Sequence, residues 1–158
     1  MSQLTSSPLI SRLNATRRGP GGALYRIVSD ASILHGSCCV VDVTENPGGG
    51  PPLHVHTRED EYFHVLEGEA TFWVDGTIHV VRAGQSLFAP RNVPHTFKNR
   101  TSEPFRMLFV ATPGHIEPFF DFGVANPDGT EPTDDVVIER ISKTAPDYGM
   151  TILGPSPL

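Results

Sequence analysis

Residues 48–68 read GGGPPLHVHTREDEYFHVLEG, and residues 84–99 read GQSLFAPRNVPHTFKN. The first segment runs Gly48, His54, His56, Glu61, Gly68. The second runs Gly84, Pro90, His95, Asn99. His54 and His56 are two apart, so on a strand they project to one face. Glu61 follows across the polar stretch Thr57-Arg58-Glu59-Asp60, which suits a bend before the next strand. His95 must come from elsewhere in the fold to close a site. Gly48, Gly68 and Gly84 allow the tight corners where positive φ is required. Three imidazoles and one carboxylate make a first shell suited to a divalent first-row transition metal. A pattern of this length, with both glycine flanks, is far more specific than a lone short motif.

The rest of the chain agrees with a strand-rich frame for this site. It has 158 residues, enough for one domain with a real core. Its 15 glycines and 15 prolines punctuate it regularly, which favours short strands over long helices. Strands are expected at 24–28, 38–43, 54–56, 62–66, 70–74, 78–81, 85–89, 95–98 and 105–111, with Asp75-Gly76 as a two-residue hairpin turn. Many short strands of this kind are the signature of an all-β sandwich or barrel. After residue 111 the texture changes. Residues 115–122 are aromatic and helix-compatible. Residues 134–145 predict a helix capped by Asp134, with Val137, Ile138 and Ile141 as an apolar stripe packing on the outside of the barrel. Pro146 stops it. The expected division is an N-terminal arm at 1–22, a barrel at 23–112 and a helical extension at 113–158 packing on it.

Charge and cysteine content narrow the functional classes. The net charge is −6, and the longest basic run is Arg17-Arg18, so nucleic acid and anionic membrane surfaces are poor partners. No stretch approaches the length of a membrane span, and the N-terminus lacks a signal-peptide layout. Cys38 and Cys39 are adjacent and would be strained as a disulfide. Two thiols in a reducing cytoplasm is the simpler reading, with metal ligation or redox sensing as the alternative. A cytoplasmic protein is the expectation.

Other ligand candidates are weighed against blander roles. Glu59 or Asp60 could replace Glu61 as the carboxylate, although solvated loop charge is the simpler role for both. His64 has odd offset from Glu61 and should face away. His35, His79 and His115 have no partner at ligand spacing. His115 is kept in view because it adjoins the aromatic segment. Structural histidines without metal are the competing reading of the main motif. Burying three imidazoles and a carboxylate on one face without a cation leaves polar groups hard to satisfy.

These two segments resemble the two motifs of the cupin superfamily. One departure is Asn92, where the second motif usually has glycine; asparagine tolerates the left-handed conformation. The short spacer from Gly68 to Gly84 is similar to that of compact single-domain members. Residues 51–56 (PPLHVH) and 60–69 (DEYFHVLEGE) look like the quercetin 2,3-dioxygenase-like group of monocupins, as do residues 113–120 (PGHIEPFF) and 148–155 (YGMTILGP). The resemblance implies a cupin double-stranded β-helix (jelly-roll) barrel over roughly 23–112, with His54, His56, Glu61 and His95 as ligands of one Fe, Mn, Ni or Co ion, Zn or Cu also fitting. It implies Glu61 as a general base, and a dioxygenase cleaving a flavonol or related enolisable aromatic. A non-oxidative isomerase or polyketide-type cyclase, or a non-catalytic binding protein, are the alternatives. A small aromatic substrate, dioxygen and a second copy of the chain are the partners implied, the dimer forming through the 1–28 region.

Strand alternation extends the site. Phe63 and Val65 share a face with Glu61, and Phe97 shares one with His95. Phe72 or Trp73, Phe88, and one set from Phe105, Met107 and Phe109 are further pocket candidates. Phe119, Phe120 and Phe122 are candidates for a lid. The expected substrate-contacting set is Phe63, Val65, Phe88, Phe97, Met107 and Phe119.

Overall fold

The computed structural model describes residues 16–29 and 34–158. Within them the apolar alternation of the sequence becomes eleven strands: β1 (Thr16–Arg18), β2 (Leu24–Ser29), β3 (Cys39–Glu45), β4 (Leu53–His56), β5 (Asp60–Glu67), β6 (Glu69–Val74), β7 (Thr77–Arg82), β8 (Ser86–Ala89), β9 (His95–Lys98), β10 (Phe105–Thr112) and β11 (Met150–Gly154). They pair antiparallel into a six-stranded sheet, β1-β2-β3-β10-β5-β8, and a five-stranded sheet, β11-β4-β9-β6-β7. After β3 consecutive strands alternate between the sheets except at the β6–β7 hairpin, which is the jelly-roll arrangement of the expected fold.

Alternation decides what lies between the sheets. Along β5, Glu61, Phe63 and Val65 are buried while Tyr62 is exposed. Along β10, Phe105, Met107, Phe109 and Ala111 are buried. Phe63, Phe72 and Phe97 meet with ring centroids 5.1–6.0 Å apart. Burying each such side chain contributes about 1.5–3 kcal/mol. Asp75 and Gly76 both take positive φ (44° and 85°), the requirement of the hairpin turn joining β6 to β7. Gly68 also has positive φ, 77°. A Cβ there would lie 3.1 Å from the Pro104 carbonyl oxygen, so the β5–β6 corner admits little else. Asn92 takes the left-handed conformation (φ 65°), and its N–H donates to the His56 carbonyl at 2.7 Å.

Several elements differ from the sequence expectation. Residues 1–15 of the expected arm lie outside the described residues. The arm's end forms β1, Thr16–Arg18, paired with β2. The C-terminal region is not purely helical. Its strand β11 pairs with β4, setting Met150 opposite His56 and Ile152 opposite His54. The 3-10 turn Glu117–Gly123 buries Phe119, Phe120 and Phe122.

The helix α1 (Asp134–Thr144) forms where predicted, but its N-cap is Thr133. Asp134 accepts from Arg18 Nη2 at 2.9 Å and from the Gly21 N–H at 3.0 Å, tying the helix start to the chain around β1. Val137 is fully buried, and Ile138 and Ile141 line the cavity between the sheets. The stripe thus contributes Val137 to the core and Ile138 and Ile141 to the cavity wall. No helix among the described residues is long and apolar enough to cross a membrane.

Candidate metal centre

The central side chains of the site come from three strands whose register brings them together. His54 on β4 lies opposite His95 on β9. His56 follows two residues after His54 on the same face. Glu61 enters from β5 in the other sheet. All four are buried, with His56 and His95 at 2% exposure. One ligand atom from each of the four lies within 4.8 Å of the others. His95 Nε2 is 2.5 Å from Glu61 Oε2, and His56 Nε2 is 3.2 Å from Glu61 Oε1.

The ring nitrogens on the far side are set by neighbours. His54 Nδ1 lies 2.8 Å from the Pro52 carbonyl oxygen, and His95 Nδ1 lies 2.9 Å from that of Val93. An Nδ1–H donating to a carbonyl leaves the Nε2 lone pair for the cluster. His56 Nδ1 faces Glu59 Oε2 at 3.5 Å. Both of these buried atoms lack a hydrogen-bond partner. Glu59 is thus not the solvated loop charge expected from the sequence. It sits behind His56 at 2% exposure. Asp60 turns outward and pairs with Arg91 at 2.8 Å.

Electrostatics separate the members of the cluster. Burial opposes ionisation of Glu61, but the attraction of His56 and the hydrogen bond from His95 outweigh it and lower its pKa. Burial, reinforced by repulsion from His95, lowers His54 to about 4. His54 is therefore a neutral imidazole at physiological pH, the form that binds a metal. Burial works against protonation of His95, but its bond to Glu61 prevails and raises its pKa.

The residues fit a divalent cation. They offer three imidazoles and a carboxylate on one buried face. With His56 Nε2 toward the cluster, a bound cation would leave the imidazole proton on Nδ1, facing Glu59. The two orphaned atoms would then be each other's partners.

The cluster opens onto a cavity of about 320 Å³ between the sheets. His54, His56 and Glu61 form part of its wall. Among the expected substrate-contacting residues, Phe63, Phe97, Met107 and Phe119 also line it. Val65 is fully buried but packs in the core instead of on the cavity wall. Phe88 lies on the outer face, 56% exposed, because its neighbour Ala89 takes the inward position opposite Glu61. Phe120 and Phe122 line the cavity, as does Phe109, whereas Phe72 and Trp73 do not. His64 faces outward and bonds to Ser86 Oγ at 2.8 Å. His115 is exposed, beside Gly36. Cys38 and Cys39 form no disulfide and lie outside the cluster.

Among the wall residues outside the motifs are Tyr25 on β2 and Glu45 on β3. Glu45 is buried to 1%. Burial pushes its carboxyl up to about 8, partly offset by the Asn46 backbone N–H. Burial, reinforced by Glu45, also raises the Tyr25 hydroxyl. The signal that could have found Glu45 is parity, since it shares a strand face with the buried Val41 and Val43.

Residues 41–111 match the family model described as the Cupin domain. The chain is 36% identical over 101 residues to quercetin 2,3-dioxygenase of Bacillus subtilis strain 168, covering 63% of this chain and 29% of that protein. It thus spans less than a third of that relative's length. It is 28% identical over 107 residues to polyketide synthase CurC of Streptomyces cyaneus, covering 63% of this chain and 70% of that protein. An RmlC-like cupin from Shewanella frigidimarina NCIMB 400 superposes with a TM-score of 0.58 at 22% identity, covering 73% of this chain and 96% of that one. This last likeness is one of fold.

Proposed function

From the premise that residues 41–111 form a domain of the cupin superfamily, we propose that the protein is a metal-dependent dioxygenase cleaving a flavonol or a related enolisable aromatic. The observation that carries the reading is the junction of two unlike surfaces. A buried set of three imidazoles and a carboxylate opens onto a cavity walled by Phe63, Phe97, Phe109, Phe119, Phe120 and Phe122. Flat aromatic walls favour a planar apolar substrate over a sugar, whose hydroxyls would need more polar partners.

In this reading His54, His56, Glu61 and His95 hold one Fe, Mn, Ni or Co ion, with Zn or Cu also suiting the donor set. When bound, the ion supplies Lewis-acid polarisation and a template for substrate and dioxygen. The chain's own residues do the rest. Glu61 is ionised, and a carboxylate oxygen of it takes the hydroxyl proton of an enolisable substrate, leaving the enolate. The phenylalanine walls position the rings and exclude water. His54 and His95 are kept in orientation by the Pro52 and Val93 carbonyls. The 36% identity to a quercetin 2,3-dioxygenase supports the substrate class.

A second reading has its own support. The match to polyketide synthase CurC covers more than two thirds of that relative. It favours a non-oxidative reaction on a polyketide-like aromatic at the same site. A homodimer through the N-terminal strands belongs to both readings, and size-exclusion chromatography checks it.

Oxygen uptake by metal-loaded protein distinguishes the two readings. The dioxygenase reading expects quercetin-dependent oxygen consumption that disappears in Glu61→Gln. Anaerobic turnover of an aromatic polyketide, with no oxygen uptake on any flavonol, would contradict it and support the second reading.

A further inference from the structure

The cavity wall holds a second carboxyl group, far from the metal cluster along the strands. Glu45 ends β3 and pairs with Phe105, whereas Glu61 pairs with Ala111, six residues further along β10. At about 3.4 Å per residue this separates the two backbones by roughly 20 Å. Both side chains line the same cavity. A ligand that reaches both Glu45 and the metal cluster through this cavity must therefore be elongated.

Glu45 is built into this place. Its side chain is buried to 1%, yet Oε1 has no hydrogen-bond partner. The loop 46–52 makes room for it, because a Cβ at Gly49 would lie 2.0 Å from Oε1. A buried acid without a cation or a donor on one oxygen is costly for the folded chain. Nothing in the metal chemistry uses it. Apart from the cluster residues and Glu45 itself, the cavity lining has only two polar side chains, Tyr25 and Ser142, and Tyr25 is near enough for Glu45 to raise its hydroxyl pKa.

We propose that Glu45 is the polar anchor for the ligand end remote from the metal, so that the site selects an elongated aromatic carrying a hydroxyl at that end. The proposal rests on the reading of the cavity as an aromatic-ligand site and adds what discriminates among such ligands. A hydroxyl suits the position because it both donates and accepts, and so satisfies Oε1 whether or not that oxygen carries the proton. Burial keeps the carboxyl neutral over most of the physiological range, so an anionic or neutral ligand meets no repulsion there. A site that hydrogen-bonds a ligand hydroxyl discriminates against the analogue lacking it, because the buried group is then left unpaired.

The test uses two probes on the metal-loaded protein under anaerobic conditions. Quercetin carries hydroxyls on both terminal rings, and 3-hydroxyflavone carries none there. Wild type should bind quercetin about tenfold more tightly, the worth of one satisfied buried hydrogen bond. E45M should reduce that preference to less than about twofold while leaving metal content unchanged. E45Q, which keeps a hydrogen-bonding group, should retain most of the preference. A preference that survives E45M overturns the proposal. So do equal affinities of wild type for the two probes, a result readable even if E45M does not fold, and one that leaves the flavonol reading standing. Failure of wild type to bind either probe contradicts that reading, and the anchor falls with it.

Discussion

Glu61 and Glu45 are the same residue type, both buried to 3% or less in the wall of one cavity. Burial alone would raise the pKa of each. Glu61 stands among three imidazoles, and their attraction and hydrogen bonding reverse the effect, so its pKa is lowered. Glu45 has only a backbone N–H against desolvation, and its pKa rises to about 8. The lesson is that burial does not decide what a carboxyl does; its neighbours do. In the proposed reading one end of the cavity serves a cation and a base, and the other a neutral hydrogen-bonding group.

That contrast can be broken at several points. The largest effect is expected at the metal end. Glu61→Gln should weaken metal binding by more than the about 10–100-fold typical of outer-shell changes, as measured by competition with a chelator. The outer carboxylate comes next: Glu59→Gln should cost about tenfold in metal affinity by freeing the His56 ring. An unchanged affinity would mean that Glu59 is merely buried beside it.

At the other end the expected effect is on stability, with a definite sign. In the unfolded chain Glu45 titrates near 4.5, and in the folded protein near 8. Below 4.5 both states are protonated and the folded protein bears no penalty. As pH rises from 4.5 to 8 the unfolded chain ionises first, and stability falls. Glu45→Gln removes that loss. Its melting temperature should exceed that of wild type by about 10 °C near pH 9, the gap shrinking toward zero as pH falls to about 4.5 and below. A gap independent of pH would show that Glu45 is not the titrating group. The smallest effect belongs outside the cavity: Phe88→Ser should change stability by no more than about 0.5 kcal/mol and leave metal affinity as it was.

The clustering of His54, His56, Glu61 and His95 was legible in the sequence because much of its information is local. His54 and His56 need only strand alternation to converge, and the glycines that turn the chain flank them. Glu61 and His95 were candidates by residue type and spacing, and the motif resemblance tied them to the same site although they come from different sheets. Phe88 was misplaced although Leu87 and Ala89 carry the inward parity of β8, because an aromatic next to the motif drew more weight than its position. Glu59 was hidden in an acidic triplet that reads as solvent-facing. Nothing in the sequence shows that the chain bends Asp60 out and Glu59 in.

β11 was not read as a strand because it follows helix-stopping Pro146 and Gly149, and its partner β4 is almost a hundred residues earlier. Glu45 lay in plain parity with Val41 and Val43. A polar residue at the end of an apolar run usually marks the end of burial, whereas here the run continues into a cavity. The local pattern thus located the chemistry, and the distant contacts that shape the pocket were visible only in three dimensions.

The central claim is that His54, His56, Glu61 and His95 form one divalent-metal site. Cobalt(II) titration of chelator-treated protein, followed by its visible absorption and by elemental analysis after dialysis, tests this most directly. The account predicts one cobalt per chain with a spectrum of nitrogen–oxygen ligation, abolished by His56→Ala. Metal retained in full by His56→Ala, or none retained by the folded wild-type protein, would contradict it.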